Sequence, residues 1–357
     1  MKVLHITEAL AGGVYTYYKD LSHFFGDLDD SEGIETTLIY SGNREQIDQS
    51  RIPDDFSKNV KLQEISMMRE FSVLKDIKST YALFKAIKKT NPDVIHLHSS
   101  KAGVLGRIAN FATLKRRKVF YTPHGYSFLR QDISTKTQKV YKLIEKSIQY
   151  IFGGTTIACG DTEYLIAKTL GKSKLVRNGI SIPEKYVVPA KNNGRLKVGI
   201  IGRITIPRNP TMFNEIALKF PEFDFLWIGD GELKSVLTAK NIKVTGWFFD
   251  AAEVAVYLDT LDIYIQTSLW EGLPIAVLEA MGKKIPVIAT NVIGNKDIVV
   301  HKETGYLFDE ISELDIYLTN LKDEDLRRKL GENGYVRCKE VFDKNKNFQG
   351  LLPIYRT

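Results

Sequence analysis

Two carboxylates eight positions apart, Glu271 and Glu279, stand in the stretch Gln266-Thr267-Ser268-Leu269-Trp270-Glu271-Gly272-Leu273-Pro274-Ile275-Ala276-Val277-Leu278-Glu279. Residues 263–266 read as a buried strand, and Pro274 suits the first turn of the helix that follows, since its φ is preset and no amide is wasted there. The amides of Gly272, Leu273 and Ile275 then gather at a positive helix end, which favours an anion and above all a phosphate. Eight positions are close to two turns at ~3.6 residues per turn, so both carboxylates are expected to face one cleft. Alone, such a pair suits acid–base catalysis as readily as binding. Upstream, Gly202-Arg203 and Arg208-Asn209-Pro210 follow another apolar strand. Two guanidiniums can grip a diphosphate through paired, charge-assisted hydrogen bonds. A carboxylate repels phosphate, which leaves Glu279 better used on sugar hydroxyls such as a ribose diol. Two cations, a helix end and a hydroxyl-binding carboxylate together fit a nucleoside diphosphate.

The elements that must position these groups alternate strand and helix twice. In the first run, residues 94–98 (Val-Ile-His-Leu-His) form a near-continuous apolar strand of the kind buried in parallel sheets. Ser99 and Ser100 can cap the next helix. The strand at 119–122 ends at Pro123-His124-Gly125, which places His124 at the strand edge where open α/β sheets bind ligands. Ala11-Gly12-Gly13-Val14 is a glycine turn between the first strand and a helix, open to a ligand at Gly13. A structural histidine and a flexible loop explain these two features equally well. Helices are expected over 72–90, 101–113, 134–152 and 162–170, and a loop-like linker over 183–194. The second run restarts at residue 196 and proceeds through strands near 224–229, 242–247, 263–266, 286–289 and 305–308. Two β/α runs imply two doubly wound, Rossmann-like parallel-sheet domains facing across a cleft, at 1–190 and 191–340, with a tail at 341–357.

Length supports that division, because 357 residues exceed the size at which a single core usually stops growing. With 43% hydrophobic and 26% charged residues the chain is an ordinary globular one. Cys159 and Cys338 form no pair motif or metal spacing, which suits a reducing, cytoplasmic compartment. The start reads as a strand rather than a leader, and the uncharged run 147–160 falls short of the ~18 apolar residues of a spanning helix. Net charge is +7, yet residues 61–118 alone hold thirteen Lys or Arg against Glu64, Glu70, Asp76 and Asp93. A solvated helical face explains this run. So does an anionic membrane surface, since Met67, Met68, Phe71 and Leu74 lie among the cations. No nucleic-acid motif accompanies it.

Taken together, Glu271 and Glu279 in Ser268-Leu269-Trp270-Glu271-Gly272-Leu273-Pro274, with Gly202-Arg203, Asn209-Pro210, Gly229-Asp230-Gly231 and Gly12-Gly13, make the chain resemble the family 4 glycosyltransferases of GT-B fold. The likeness covers nearly the whole chain and implies that the 341–357 tail is a C-terminal helix crossing back to the first domain. Residues 96–103 and 121–125 are similar to members that build bacterial capsule, O-antigen or exopolysaccharide units on a lipid carrier. The resemblance implies retaining transfer from a nucleotide sugar, usually UDP-linked, to a saccharide on undecaprenyl diphosphate at the inner face of the membrane, without a metal or other cofactor. It implies that Arg203 and Arg208 neutralise the leaving diphosphate, that Glu279 binds ribose, and that Glu271 contacts donor-sugar hydroxyls. Gly272, Leu273 and Pro274 would hold the donor at the helix end, and Gly13 would offer an amide near the phosphate. His124 would hydrogen-bond the transferred sugar or line the reaction centre from the first domain, with the departing phosphate taking the acceptor's proton. Two departures stand out: Arg208 replaces the family's usual lysine, and Gly294-Asn295-Lys296-Asp297 replaces a glycine, proline and glutamate pattern.

Two other functions fit the same architecture: a nucleotide-sugar epimerase or hydrolase, and a non-catalytic sugar-nucleotide-binding subunit. Nicotinamide chemistry is disfavoured, because Gly199-Ile200-Ile201-Gly202 lacks the dinucleotide-binding glycine spacing. Asp323-Glu324-Asp325 reads as the start of a solvated helix rather than a metal site.

Overall fold

The computed structural model describes residues 1–8, 10–42, 48–68, 72–189 and 194–357. Phe71 and linker positions 190–193 therefore lie outside the described residues. Contacts divide the chain into two units. The first comprises Met1–Leu129, Ile133–Arg177 and Asn345–Thr357; the second comprises Arg130–Asp132 and Asn178–Lys344.

The first unit is built on seven strands: β1 (Lys2–Thr7), β2 (Glu35–Tyr40), β3 (Lys61–Glu64), β4 (Val94–His98), β5 (Lys118–Thr122), β6 (Thr155–Ala158) and β7 (Ser173–Leu175). They pair in parallel in the order β3-β2-β1-β4-β5-β6-β7. Every residue of β4 is buried, as its near-continuous apolar character suits in a strand covered on both faces, and this burial includes His96 and His98. One face packs against the Gly13–Gly26 helix and the C-terminal segment through Tyr18, Leu21, Phe25, Phe348, Leu351 and Tyr355. The other packs against the Val73–Thr90 and Ser100–Ala112 helices through Leu83, Ile87, Ala102 and Leu105.

The second unit repeats the plan with six strands: β8 (Lys197–Ile201), β9 (Asp224–Ile228), β10 (Ile242–Val244), β11 (Ile263–Gln266), β12 (Val287–Thr290) and β13 (Gly305–Phe308). Their order is β10-β9-β8-β11-β12-β13, again all parallel. Both sheets reverse their winding at one place, between β1 and β4 and between β8 and β11. At such switch points, adjacent connections leave toward opposite faces and open a crevice at the carboxyl ends of the strands.

Several local expectations need correcting. Ser99 does not cap the Ser100–Ala112 helix: its side chain makes no cap bond, and Glu8 accepts from the Ala102 amide (3.0 Å) and the Ser99 hydroxyl (2.6 Å) instead. Pro274 is the N-cap of the Ile275–Gly282 helix rather than its first residue. Asn295–Ile298 forms one helical turn where a loop was expected. Asp323 caps the Glu324–Val341 helix by accepting from the Asp325 and Leu326 amides, which fits the solvated-helix reading.

The Leu351–Arg356 helix fastens the chain's end to the first sheet. Fully buried Tyr355 packs its ring 5.2 Å from Phe120 and bonds His96 Nδ1 at 2.5 Å, while Lys118 Nζ donates to the Tyr355 and Arg356 carbonyls. Tyr355→Ala is expected to cost about 3–5 kcal/mol, the range for truncating a buried aromatic, measured by urea unfolding of the first unit's transition.

Candidate active site

In the second unit, β8 and β11 end side by side and deliver the predicted residues to one place. Arg208 forms an ion pair with Glu271 and donates from Nη1 to Ser268 Oγ at 3.1 Å. Glu271 Oε1 also accepts from Ser268 Oγ (2.7 Å) and Gln266 Nε2 (2.9 Å), and Tyr264 Oη donates to Gln266 Oε1 (2.9 Å). Gln266 and Ser268 are fully buried, so each of these polar atoms requires a partner, and the chain Tyr264–Gln266–Glu271–Arg208 supplies it. Burial lowers the Arg208 pKa, and the neighbouring Arg203 lowers it further. The two guanidiniums are thus close enough to repel each other. Burial raises the Tyr264 pKa, Arg208 pulls it back, and Glu279 adds to the rise, so Arg208 and Glu279 both act on this one ring.

The expected geometry of the two carboxylates is wrong. Glu271 lies in the loop before the Ile275–Gly282 helix, so no helical face carries it together with Glu279. Their common neighbour is the β11 side of the site. The Gly272, Leu273 and Ile275 amides make no hydrogen bond among the described residues, as an anion-binding helix end requires. Gly272 is partly exposed, and Leu273 and Pro274 are buried.

Glycines let the backbone close on these groups. Gly202, at φ +143°, lies under Arg208, and a Cβ there would stand 2.9 Å from its Nε. A Cβ on Gly229 would meet the Gly202 carbonyl at 2.3 Å. Gly294, at φ +85°, presses against the other side: a Cβ would lie 2.5 Å from the Gly272 oxygen and 2.9 Å from Glu271 Cβ. The divergent 294–297 loop therefore abuts the Glu271 loop directly.

In the first unit, Gly13 opens the helix after β1, with exposed Gly12 as its N-cap at φ +54° and no hydrogen bond from the Gly13 amide among the described residues. His124 follows β5 at φ +52° and is partly exposed. Tyr17, from the Gly13–Gly26 helix, stands edge-on to it at 4.7 Å, so Gly13 and His124 belong to one neighbourhood. Burial keeps the His124 pKa well below its ordinary value and the ring neutral at neutral pH. Sequence reasoning missed Glu8, His5 and His98, whose partners are distant in sequence, and also Tyr264 and Gln266, whose side-chain partners lie two to five positions away in the same stretch.

The cationic run 61–118 is not one face. Arg107 is buried, bonding the Gly153 and Gly103 carbonyls and Gln149, and Lys101 pairs with Asp76 at 2.7 Å with both side chains mostly buried. Met67 is in the core rather than at an interface. Lys61, Lys115, Arg116 and Lys118 are exposed elsewhere, and the outer side of the Val73–Thr90 helix shows Val73, Leu74, Ile77 and Tyr81 exposed beside Lys75, Lys78 and Lys85. A second surface had no counterpart in the sequence reading. On the Thr135–Phe152 helix, Val140, Leu143, Ile144, Tyr150 and Ile151 are exposed beside Lys136, Lys139, Lys142 and Lys146, while the helix's acid, Glu145, is buried. No described helix is long and apolar enough to cross a membrane.

Comparison with known proteins identifies the family. Residues 11–181 match the Glycosyltransferase Family 4 model, and residues 196–320 match the model for glycosyl transferases group 1. The UDP-Gal:alpha-D-GlcNAc-diphosphoundecaprenol alpha-1,3-galactosyltransferase of Escherichia coli is 34% identical over 293 residues, covering 72% of each chain. The capsular polysaccharide glycosyltransferase CapM of Staphylococcus aureus is 24% identical over 82% of this chain and 84% of its own. Among solved structures, Anabaena HepE in complex with UDP and glucose has the same fold, with TM-score 0.79 at 18% identity and 99% coverage of both chains. The chain belongs to the family 4 glycosyltransferases, and its two parallel-sheet units have the GT-B fold.

Gly294→Ala is expected to lower the melting temperature by several degrees. It places a side chain at positive φ, a strain of order 1–3 kcal/mol, against the loop that carries Glu271. Differential scanning calorimetry reads the shift, and Gly33→Ala, with positive φ but open space around the new Cβ, serves as the comparison.

Proposed function

We propose that this glycosyltransferase moves a sugar from a UDP-linked donor to a saccharide carried on undecaprenyl diphosphate, with retention of anomeric configuration, in building a cell-surface polysaccharide. The observation that carries this reading is the grouping of Arg208, Arg203 and the unbonded helix-end amides at the switch point of the second sheet. There they can neutralise a leaving diphosphate without help from a metal. The bond from the sugar's anomeric carbon to the β-phosphate breaks, the bond to the acceptor oxygen forms on the same face, and the departing phosphate takes the acceptor's proton. Glu279 binds the ribose. Arriving phosphate oxygens compete with Glu271 for Arg208, and the carboxylate so released accepts from hydroxyls of the donor sugar. The donor and acceptor classes follow the activity of the E. coli relative and the UDP bound to HepE. The relatives named above favour neither the epimerase nor the silent-subunit reading.

The acceptor's lipid carrier would lie in a bilayer, and the two lysine-rich helices of the first unit, Val73–Thr90 and Thr135–Phe152, suit peripheral attachment to its anionic inner face. Their exposed apolar side chains would enter the headgroup layer while the lysines meet lipid phosphates.

Arg203→Ala is expected to lower turnover by roughly two to three orders of magnitude, the usual loss for one donor that stabilises developing charge. Single-turnover assays with radiolabelled UDP-sugars measure it, and an unchanged rate in a folded variant would remove the diphosphate assignment. For the membrane surface, flotation with phosphatidylserine vesicles should weaken as salt rises, because screening shortens the reach of surface charge. It should be lost in the Lys139→Glu, Lys142→Glu double variant; binding that ignores both would contradict attachment through this helix.

A further inference from the structure

Four histidines of the first unit meet across the carboxyl ends of β1, β4 and β5. His5, His96 and His98 are completely buried. Their closest ring nitrogens lie within 4.8 Å of one another, a spacing compatible with a shared metal ion. The hydrogen bonds say otherwise, because five of those six nitrogens are already committed. His96 bonds Tyr355 Oη through Nδ1 (2.5 Å) and Thr122 Oγ1 through Nε2 (2.8 Å). His5 Nδ1 meets His98 Nε2 at 3.1 Å, and His98 Nδ1 meets His124 Nε2, also at 3.1 Å. The His5 and His98 planes differ by 29° and the His98 and His124 planes by 18°, with centroids 5.4 and 5.3 Å apart, so the rings meet edge to edge in a nearly flat line. Tyr18 and Tyr17 close on His98 from the Gly13–Gly26 helix and hold the line in place.

This line has a direction. Burial lowers the pKa of each of its rings, so each is neutral, with one N–H and one bare nitrogen. A choice at one end therefore fixes the others. The inner end is His5 Nε2, buried and without a partner. The outer end is His124 Nδ1, which has no partner among the described residues and is open to solvent. If protons pointed inward, His5 Nε2–H would be an orphaned donor in the core. If they point outward, the orphan is only a lone pair, and buried orphan N–H groups are the rarer of the two.

We infer that His98, backed by His5, is a positioning residue that fixes His124 as its Nδ1–H tautomer, so that His124 presents a hydrogen-bond donor and not a base. The family resemblance implies that His124 hydrogen-bonds the transferred sugar, and on that reading, which rests on the glycosyl transfer proposed above, the donor faces a sugar oxygen. The arrangement matches the general rule that a histidine's working nitrogen is set by the bond its other nitrogen makes.

The test uses the full chain with ¹⁵N-labelled histidine. Long-range ¹H–¹⁵N spectra, assigned with His124→Gln, should show His124 protonated on Nδ1 and bare on Nε2. His98→Asn keeps an amide where Nδ1 stands and should preserve that tautomer. His98→Gln moves the amide to the Nε2 position and should release His124 to the Nε2–H form or a mixture. In transfer assays His98→Gln should lower kcat about 10- to 100-fold, the usual scale for a residue that orients an active-site histidine, with donor KM within about twofold, and His98→Asn should recover most of the loss. A wild-type His124 protonated on Nε2 overturns the inference, whatever the variants do, and so does a His98→Gln chain that keeps the Nδ1–H form. The spectra need no substrate, so a wrong donor assignment would show in the assays and leave this result standing.

Discussion

A guanidinium taken out of water is the constraint on which the second unit's site depends. Arg208 is mostly buried, and a buried charge is tolerated only with a partner and with its remaining hydrogen bonds made. Glu271 is that partner, and Gln266, Ser268 and Tyr264 hold it there. The glycines follow from the same need. Gly202 leaves room for the arginine, Gly229 lets β9 approach Gly202, and Gly294 lets its own loop close on Glu271. A cation held this way is ready for a diphosphate, because exchanging one anionic partner for another spares most of the desolvation cost. Here a single nitrogen, Nη1, meets both Ser268 and Glu271, which leaves the rest of the guanidinium for another acceptor; the family's usual lysine would carry the charge as a single point.

The first unit meets a similar problem with neutral groups. Its sheet edge buries three histidines, and hydrogen bonds along the strand ends satisfy all but one of their ring nitrogens. The C-terminal Tyr355 belongs to this network through His96. Strand pairing sets His5 opposite His96 and Thr7 opposite His98, so the register of β1 on β4 decides which rings can meet. Slipping it by one residue would turn these side chains to the opposite face.

Much of this was legible in the sequence. β4, β11 and β13 have the expected bounds, because a strand buried on both faces must be apolar throughout and is punctuated sharply by Asn, Asp, Ser or Gly. The motif residues Arg203, Arg208, Glu271 and Gly272 lie near one another because the strand order brings β8 beside β11. What escaped was non-local or weakly patterned. β7 is a three-residue edge strand with two polar residues and no periodicity to read. Glu271 and Glu279 have helical spacing, but Pro274 starts the helix only after Glu271. His98 bonds His5 and His124 across 93 and 26 positions, which no local pattern records. The charge of 61–118 misled for a related reason, since counting lysines and arginines does not reveal that Arg107 points inward.

The central claim is that the second unit grips a nucleoside diphosphate with arginines and helix amides alone. Calorimetric titration of UDP into the full chain in the presence of EDTA tests it most directly. The account predicts binding whose affinity is unchanged by the chelator and falls at least tenfold in Arg203→Ala, about 1.4 kcal/mol. Binding that appears only with a divalent metal, or that is indifferent to Arg203, would contradict it.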